Sequence, residues 1–392
     1  MTHASILFLG EPAVDSRTTR FASSLRAAGY DVNVLGAAPT GQTVDARAGV
    51  DHVSLRFKAG PLRFAEYFLR SLLHLLFRAR IHLVIAEDLY SLPAAYLIAK
   101  THRAFLVFDS RELYSDIASL VARPRVQKIW SRIQRLLAPR CDLVLAVNDS
   151  IAAILRSTLT QCVAVVRNVP NLPAEAGVTD GAGHGGVQPR LRERLGIGPE
   201  VPILLYQGGL QNGRGIFITL DLLARVQEAV LVYMGAGPLK DALVDEIKLR
   251  RLERRAFVID AVPVEKILTM TTEATLGMSL IENRGRSYFL SLPNKVFEYI
   301  AAEVPVVASN FPEMRDLIEQ YGVGVAVDPE DVAAAALIVR DLLAAPERMQ
   351  EMREHCRAAA QELNWQKESR RFIGAVEELL RSRRGSSVPA RG

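Results

Sequence analysis

The sequence predicts an α/β protein that consists of two doubly wound parallel-sheet domains. Near its start, two short apolar runs flank a segment with helical periodicity. They predict strands at Ile6–Leu9 and Asp31–Leu35, with a helix at Arg17–Ala28 between them. A similar alternation begins again after residue 190, and proline and glycine are frequent in the stretch between the two halves. Strand–helix–strand units of this kind build parallel sheets with helices on both faces.

The remaining elements follow the same alternation. In the first half, further strands are predicted at His82–Ala86, Phe105–Phe108, Asp142–Val147 and Val163–Val166, and helices at Pro93–Lys100 and Arg123–Leu137. In the second half, strands are predicted at Ile203–Tyr206, Val230–Tyr233, Phe257–Ile259, Ala274–Leu280, Val304–Ala308 and Gly324–Val327. We therefore expect a first domain at 1–170, a linker and flexible loop at 171–190, a second domain at 191–361, a terminal helix at 362–384 and a disordered tail at 385–392.

The composition is that of a globular protein. Of the 392 residues, 49% are hydrophobic and 23% are charged, and the formal net charge is only +5. The cysteines Cys141, Cys162 and Cys356 lie far apart without metal-ligand spacing, which is typical of a reducing compartment. Neither a signal peptide nor an apolar run long enough to span a membrane is evident, so we expect a cytoplasmic protein, and no nucleic-acid partner.

Residues 56–80 are both basic and apolar. One acid, Glu66, stands among six cations: Arg56, Lys58, Arg63, Arg70, Arg78 and Arg80. A predicted helix face carries the apolar residues Phe64, Tyr67, Phe68, Leu72, Leu75 and Leu76. Such a helix could lie on an anionic membrane surface, or its apolar face could pack on the sheet while its arginines are solvated. The segment 123–140 is likewise rich in arginine and lysine.

Polar side chains follow the predicted strands of the first half. Glu11 follows the first strand, Glu87 and Asp88 follow the third, and the segment 109–112, which ends in Arg111 and Glu112, follows the fourth. Because ligands of open parallel sheets collect outside the carboxyl ends of the strands, these residues are candidate sugar or acceptor contacts. They could instead cap the helices that follow.

Two glycine-rich turns follow strands in the second half. The first includes Gly208, Gly209, Gly213 and Arg214, so that backbone N–H groups and a guanidinium could meet a bound anion; a purely structural turn is the alternative. The lysine pattern of a P-loop is absent. The second turn contains Gly235 and Gly237, which alone is weak evidence.

A short helix at 293–302 carries Lys295 and Glu298 near its start. A cation in the first turn opposes the helix dipole, which favours a bound anion such as phosphate; an ordinary charged pair on a solvated face is the alternative. Together with the glycine turns at the same sheet edge, the helix predicts a nucleotide-diphosphate site. The histidines form no metal-site pattern and no Asp-x-Asp occurs, so we expect protein cations and no metal to neutralise the diphosphate.

These motifs resemble the retaining glycosyltransferases of family four. The resemblance rests on Tyr206–Leu210 with Gly213–Gly215, on Met234–Pro238, and on Leu292–Tyr299 followed by Val304–Val307, and it extends to Asp109–Leu113 and Asn168–Asn171. It implies the GT-B architecture, in which two Rossmann-like domains face each other across a cleft and the last helix crosses back onto the first domain. The second domain would then bind a nucleotide-sugar donor and the first mainly the acceptor.

The resemblance also implies roles for individual residues. Arg214 and Lys295 would contact the diphosphate with backbone N–H groups at Gly213 and near Asn294, and Glu298 would bind the ribose hydroxyls. Gly235 and Gly237 would let the nucleotide approach, and Val262 would lie near the base. The sequence departs from the family pattern at three positions: Leu290 replaces a sugar-reading glutamate, with Glu282 further back; Gly209 replaces an arginine; and Arg111 replaces a histidine near the donor sugar. Arg111 could bind an anionic acceptor or the departing phosphate, but it is too basic to act as a base.

The leading hypothesis is therefore a metal-independent retaining transfer of a hexosyl or N-acetylhexosaminyl group from a nucleotide sugar to an acceptor hydroxyl. The leaving phosphate would take the acceptor proton, and its charge would be stabilised by Arg214 and Lys295. The acceptor could be a glycan, a lipid-linked intermediate at the inner membrane face or a small molecule. A GT-B nucleotide-sugar epimerase and a catalytically silent binding or scaffold subunit remain as alternatives.

Overall fold

The computed structural model describes residues 1–41, 48–78, 80–117, 123–172 and 191–385. The chain divides into two compact units, of which one comprises Met1–Asn168 with Lys367–Gly392 and the other comprises Val169–Gln366. Most of the predicted linker, from 173 to 190, and the predicted tail after residue 385 lie outside the described residues.

The first unit is built on a parallel sheet of seven strands in the order β3-β2-β1-β4-β5-β6-β7. The strands are β1 His3–Leu7, β2 Asp31–Pro39, β3 Val50–Leu55, β4 Leu83–Ala86, β5 Phe105–Ser110, β6 Leu143–Ala146 and β7 Val163–Val165. The helices are α1 Ser16–Ala27, α2 Gly60–Leu76, α3 Leu92–His102, α4 Pro124–Leu137 and α5 Asp149–Thr158. The central strands are continuous apolar runs because helices cover both faces of the sheet.

The second unit repeats this plan with a six-stranded parallel sheet in the order β10-β9-β8-β11-β12-β13. Its strands are β8 Ile203–Gln207, β9 Val230–Met234, β10 Ala256–Ile259, β11 Leu276–Ser279, β12 Val306–Ser309 and β13 Gly324–Val327. Its helices are α6 Leu191–Leu195, α7 Ile216–Leu223, α8 Lys240–Leu249, α9 Val264–Thr271, α10 Arg286–Phe289, α11 Asn294–Ala301, α12 Pro312–Tyr321, α13 Val332–Leu343 and α14 Pro346–Ala360. The predicted pair of doubly wound parallel sheets is thus confirmed.

The structure corrects the sequence-based prediction at two strands. The edge strand β3 was not predicted, because only Val53 and Leu55 of its six residues are buried and its apolar run is therefore too short to be recognised. The first strand ends at Leu7, two residues earlier than predicted.

The last helix, α15 Trp365–Gly385, begins in the second unit, and its residues from Lys367 onwards belong to the first unit. At its start, the Trp365 N–H donates to the Pro170 carbonyl at 2.9 Å within the second unit. Further along, the Phe372 ring stacks on Phe21 of α1 with centroids 4.1 Å apart within the first unit. No helix of the described residues is long and apolar enough to cross a membrane.

Candidate active site

The strand β8 ends in a glycine-rich loop at the point where the strand order of the second sheet reverses. From β8 the chain first continues through β9 to β10 at one edge of the sheet, and it then returns to β11 on the other side of β8 and continues to β13 at the opposite edge. Ligands of doubly wound sheets bind outside the carboxyl ends of the strands at such a switch point. The loop after β8, residues 208–215, meets the segment after β11, because the Glu282 N–H donates to the Gly213 carbonyl at 3.0 Å.

Gly215 shows why this loop requires glycine. Its φ is +71°, and a Cβ atom at this position would lie 1.5 Å from the Leu280 carbonyl oxygen. Only glycine allows both the left-handed backbone and this close approach. Gly215 then caps α7, so the loop is fixed between a strand end and a helix start.

Gly235 and Gly237 lie where two loops of the second unit pack closely together. A Cβ atom on Gly235 would lie 1.9 Å from the Gly208 carbonyl oxygen, and one on Gly237 would lie 2.3 Å from that of Leu210. Backbone hydrogen bonds join the two loops, from Gly208 N to Met234 O at 3.0 Å and from Leu210 N to Ala236 O at 2.9 Å. The space that a Cβ atom would take is filled by the neighbouring loop, so the lack of a side chain at both positions allows the two loops to pack together.

We expect Gly235→Ala to destabilise the protein and to separate the two loops. The added methyl group meets backbone rather than a flexible side chain, so we expect a loss of about 2 kcal/mol or more in the free energy of unfolding. Gly374→Ala is the matched control, because a Cβ atom there meets nothing within 4 Å and alanine favours a helix interior. Urea unfolding of both variants measures the difference. An equal, small effect of the two substitutions would contradict the packing role of Gly235.

Lys295 is buried at the start of α11, in the turn that follows Pro293. Its residue is only 7% exposed, and its Nζ has no hydrogen-bond partner among the described residues. The ammonium instead lies 3.5 Å from the centroid of the Tyr206 ring, whose hydroxyl donates to the Gly209 carbonyl at 2.8 Å. An aromatic face offsets part of the cost of burying a cation. The alternative of a solvated surface pair is therefore wrong for Lys295.

Arg214 adds a second positive charge at the same place. Burial lowers the pKa of Lys295 well below its usual value, the charge of Arg214 lowers it further, and only Glu298 acts in the opposite direction. The Arg214 guanidinium lies 5.1 Å from the Tyr288 ring centroid, and within the described part of the chain no carboxylate forms an ion pair with it. Two neighbouring basic side chains that lack a bonded counter-ion among the described residues are a candidate site for an anion.

Glu298 is oriented by a chain of buried polar groups. Its carboxylate accepts a hydrogen bond from the Gln207 side-chain amide, and the Gln207 Oε1 accepts one from Thr271 Oγ1 at 2.8 Å. The Gln207 backbone N–H donates to the Tyr299 hydroxyl at 3.1 Å. No contact with the donor or the acceptor was predicted from the sequence for Gln207, Tyr206 or Thr271. A polar residue that ends an otherwise apolar strand, as Gln207 does, was the available signal.

The other predicted residues of the second unit lie around this loop or at its border. Glu282 pairs with Arg284 at 2.6 Å, and a Cβ atom on Gly213 would touch Tyr288 and the Arg284 stem.

Leu290 follows the last residue of α10, and its N–H donates to the Arg286 carbonyl at 3.0 Å. Gly209 borders the flexible Gln211 side chain, Asn294 is the first residue of α11, and Val262 lies half-buried between β10 and α9. Among the described residues, no group of three or more His, Cys, Asp or Glu side chains could hold a metal ion.

In the first unit, Arg111 is part of a compact charge cluster. Its nitrogens pair with Asp15 at 2.7 Å, with Glu87 at 2.9 Å and with Asp109 at 3.3 Å. Arg17 in turn forms two 2.7 Å hydrogen bonds to the Asp109 carboxylate. Because Asp15, Glu87 and Asp109 already contact the nitrogens of Arg111, its predicted contact with an anionic acceptor or a departing phosphate would have to compete with them. Arg111 links the start of α1, where Asp15 is the N-cap, to the ends of β4 and β5.

The remaining acceptor candidates differ in what their carboxylates do. Both oxygens of Asp88 accept backbone hydrogen bonds, from Leu9 at 2.9 Å and from Ser91 at 2.6 Å, so this carboxylate fixes the turn that leads from β4 into α3, whose N-cap is Ser91. Glu11 meets His52 at 2.9 Å through one oxygen, while the other is buried and lacks a hydrogen-bond partner among the described residues. Glu112 is half-buried, directly after Arg111.

The stability of the protein should depend on pH through Glu87. Burial raises its pKa from 4.5 to about 8, the neighbouring carboxylates contribute to the increase, and Arg111 only partly opposes it. Between pH 5 and 8 the folded state therefore holds a proton that the unfolded chain has lost. We expect the free energy of unfolding to fall by up to about 1.4 kcal/mol per pH unit across this range and to level off above pH 8.

Glu87→Gln should remove this slope, because the amide resembles the protonated carboxyl and does not ionise. Urea unfolding between pH 5 and 9 provides the measurement, with Glu253→Gln on an exposed position as the control. If Glu87→Gln and the wild type had parallel pH profiles, Glu87 would be ionised in the folded protein at neutral pH.

Comparison with known proteins places both halves of the chain in glycosyltransferase families. Residues 187–363 match the family of glycosyl transferases group 1, and residues 13–170 match the glycosyl transferase 4-like domain. The chain therefore belongs to the glycosyltransferases of the family-four type, which confirms the resemblance found in its motifs.

Particular relatives are similar to it at low sequence identity. The chain is 25% identical over 194 residues to glycogen synthase from Mycobacterium tuberculosis, a match that covers 47% of this chain and 44% of that protein. It thus spans about half the length of the curated relatives that it matches. Sucrose-phosphate synthase from Thermosynechococcus elongatus has a TM-score of 0.79 at 16% identity and covers 97% of this chain and 100% of its own. The Anabaena protein HepE, solved in complex with UDP and glucose, has a TM-score of 0.73 at 14% identity, with 96% and 100% covered. These structures establish the GT-B fold.

Proposed function

We propose that the protein is a retaining glycosyltransferase that transfers a sugar from a nucleotide-diphosphate donor to an acceptor hydroxyl. The observation that carries the proposal is Lys295: a buried ammonium without a hydrogen-bond partner among the described residues, beside a second cation, at the switch point of the second sheet. A diphosphate supplies the negative charge and the acceptor oxygens that this pair lacks. The complex of the similar HepE protein with UDP and glucose favours a uridine nucleotide.

In this proposal, Lys295 and Arg214 bind the diphosphate and stabilise the charge that develops on it as the sugar leaves. Because the site is buried, these cations act in a low dielectric, where stabilisation of a leaving group is strongest. The two cations take the part that a metal ion plays in other transferases, so the reaction is metal-independent. Glu298, held by Gln207, accepts hydrogen bonds from the ribose hydroxyls. The leaving phosphate takes the proton of the acceptor hydroxyl, which attacks from the same face, so the configuration is retained.

The donor sugar in this proposal is a hexosyl or N-acetylhexosaminyl group. Leu290 lies where the family pattern has a carboxylate, and Glu282 is paired with Arg284, so the contacts to the sugar differ from that pattern. The acceptor is a glycan, a lipid-linked intermediate or a small molecule.

A nucleotide screen by thermal shift tests the donor half of the proposal. Uridine, adenosine and guanosine diphosphates and their sugar conjugates should raise the melting temperature selectively, because a ligand that binds only the folded state stabilises it. The matching monophosphate should stabilise less, since it lacks the second phosphate. If none of the nucleoside diphosphates raised the melting temperature, both the transferase and the epimerase hypotheses would be overturned.

Product analysis then separates the reactions that use the same donor. Incubation of the selected donor with glucoside, lipid and glycan acceptors, followed by NMR of the new anomeric centre, should show transfer with retention. Conversion of the donor to an epimer without acceptor would identify an epimerase. Binding without turnover in the presence of all acceptors would favour a silent binding subunit.

A further inference from the structure

Helix α2 has two apolar faces, and only one of them is covered. Tyr67 and Leu75 are fully buried, and three further apolar side chains pack against the core of the first unit: Phe64, Phe68 and Leu72. The apolar face that was predicted from the sequence therefore packs inside the first unit. A second set of large apolar side chains remains exposed: Leu62 by 58%, Leu69 by 56%, Leu73 by 64% and Phe77, just after the helix, by 82%. Their spacings of seven, four and four residues place them on one stripe of the helix.

Exposed apolar residues are concentrated in this region. Fourteen large apolar side chains are exposed among the described residues, and eight of them belong to the segments 57–77 and 126–136. The second segment is α4, which exposes Ile129 and Leu136 by 56% each. The two helices are neighbours, because Phe64 of α2 meets Trp130 of α4 edge to face at 5.0 Å. An exposed patch of this kind indicates an interaction surface.

The two segments that carry these exposed side chains are strongly basic. Segment 56–80 has six cations and one acid, and segment 123–140 has six cations (Arg123, Arg125, Lys128, Arg132, Arg135 and Arg140) and no acid. The single acid, Glu66, accepts hydrogen bonds from the backbone N–H groups of Arg56 and Phe57 and from Arg70 Nε at 2.9 Å. At the far end of α2, Asp51 of β3 offsets Arg78. The other cations leave a strong net positive charge beside the leucines.

We propose that the exposed stripe of α2, together with α4, docks this protein on an anionic lipid bilayer. A row of leucines and a phenylalanine between long basic side chains fits the boundary between acyl chains and headgroups, since the stems of arginine and lysine cover apolar surface while their charges reach the phosphates. The centre of a protein–protein interface is depleted of charge, which this surface is not. The surface lies within the first unit, so the inference does not rest on the proposed transfer reaction.

Vesicle flotation tests this inference on the full chain. The wild type should float at low salt with vesicles of phosphatidylcholine and phosphatidylglycerol, and much less with phosphatidylcholine alone or at high salt. Leu69→Gln combined with Leu73→Gln should reduce the bound fraction at least about tenfold, because it removes the apolar contribution and leaves every charge in place. Arg132→Gln combined with Arg135→Gln should weaken binding to anionic vesicles only.

The matched control is Leu249→Gln combined with Leu337→Gln, which alters equally exposed leucines of the second unit and should float like the wild type. Circular dichroism and nucleotide-induced thermal shift show that each variant is folded. The inference is overturned if the wild type stays unbound with anionic vesicles at low salt, or if the α2 variant and the control float alike. It is also overturned if the wild type forms a dimer that the α2 variant loses and does not float, since the stripe would then be covered by a second copy.

Discussion

Replacing Lys295 with methionine should make the unliganded protein more stable and at the same time abolish tight nucleotide binding. The ammonium is buried against the Tyr206 ring beside Arg214 and lacks a hydrogen-bond partner among the described residues. Methionine has a similar length and shape but no charge, so it fills the space without the desolvation cost. We expect a gain of about 1–3 kcal/mol in the free energy of unfolding.

The same substitution removes the group that meets the diphosphate. Charge-assisted hydrogen bonds contribute about 1.5–3 kcal/mol each, so we expect the affinity for the nucleoside diphosphate to fall at least about tenfold. The turnover rate should fall by about 10² to 10³, because stabilisation of leaving-group charge is lost as well. A gain in stability together with a loss of binding is typical of a residue that is needed for function but destabilises the folded protein.

Urea unfolding without ligand and calorimetry with the nucleotide measure the two effects. Lys248→Met, on an exposed lysine of the same unit, is the control and should change neither quantity by more than about 0.5 kcal/mol. If Lys295→Met destabilised the unliganded protein, Lys295 would be a structural residue and the anion site would lose its main support.

The pH dependence gives an independent check on Lys295. Since its pKa is lowered in the folded protein, the folded state loses this proton more readily than the unfolded chain. The free energy of unfolding therefore rises with pH, from the lowered pKa of Lys295 in the folded protein up to its ordinary pKa in the unfolded chain. The methionine variant should lack this rise. A bound diphosphate raises the pKa again, so nucleotide binding should be accompanied by proton uptake, which calorimetry in buffers of different ionisation enthalpy detects.

Arg17→Met should cause a large loss of stability in the first unit. Arg17 is 1% exposed, forms two hydrogen bonds to the Asp109 carboxylate and donates to the Val166 carbonyl at 2.9 Å. Within the described part of the chain, its removal leaves the buried Asp109 carboxylate with the 3.3 Å contact to Arg111 as its one ion pair. Breaking a buried pair in this way costs about 3–5 kcal/mol, because the remaining charge is desolvated and poorly compensated.

A double substitution shows whether this loss is due to the unpaired charge. Arg17→Met combined with Asp109→Leu should recover much of the loss, since neither charge then remains buried alone. Arg381→Met, in an exposed pair with Glu377, is the control and should change the free energy of unfolding by less than about 0.5 kcal/mol. If the double variant were no more stable than Arg17→Met, the loss would come from packing on Phe21, over whose ring the guanidinium lies at 4.6 Å.

Much of the second unit could be predicted from the sequence because its signals are local. The strand β8, the glycine turn after it and the helix start at Asn294 are each defined by a few consecutive residues, and a strand-end turn points to the switch point by topology alone. The role of Gly235 could not be predicted in this way. A glycine that leaves space for a ligand and a glycine that leaves space for another loop have the same sequence signal, and only the distance to Gly208 distinguishes them.

The first unit shows the same limit for charged residues. The sequence placed Glu87, Asp88 and Arg111 at neighbouring strand ends, but the partners of Arg111 include Asp15, which is 96 residues away in the chain. Whether such a side chain is available to a ligand depends on which distant groups already bind it. For Asp88 these are backbone N–H groups, and for Arg111 they are the side chains of Asp15, Glu87 and Asp109.

The sequence by itself determined the two parallel-sheet domains and the family, and it predicted an anion site in the segment around Lys295. Apolar periodicity, turn chemistry and short motifs are properties of neighbouring residues, and they persist without knowledge of the folded chain. Only the tertiary structure decided that, among the described residues, the Lys295 ammonium is buried without a bonded counter-ion and one apolar stripe of α2 stays uncovered. Burial and electrostatic environment are sums over residues that are far apart in sequence, so they exist only once the fold has brought those residues together.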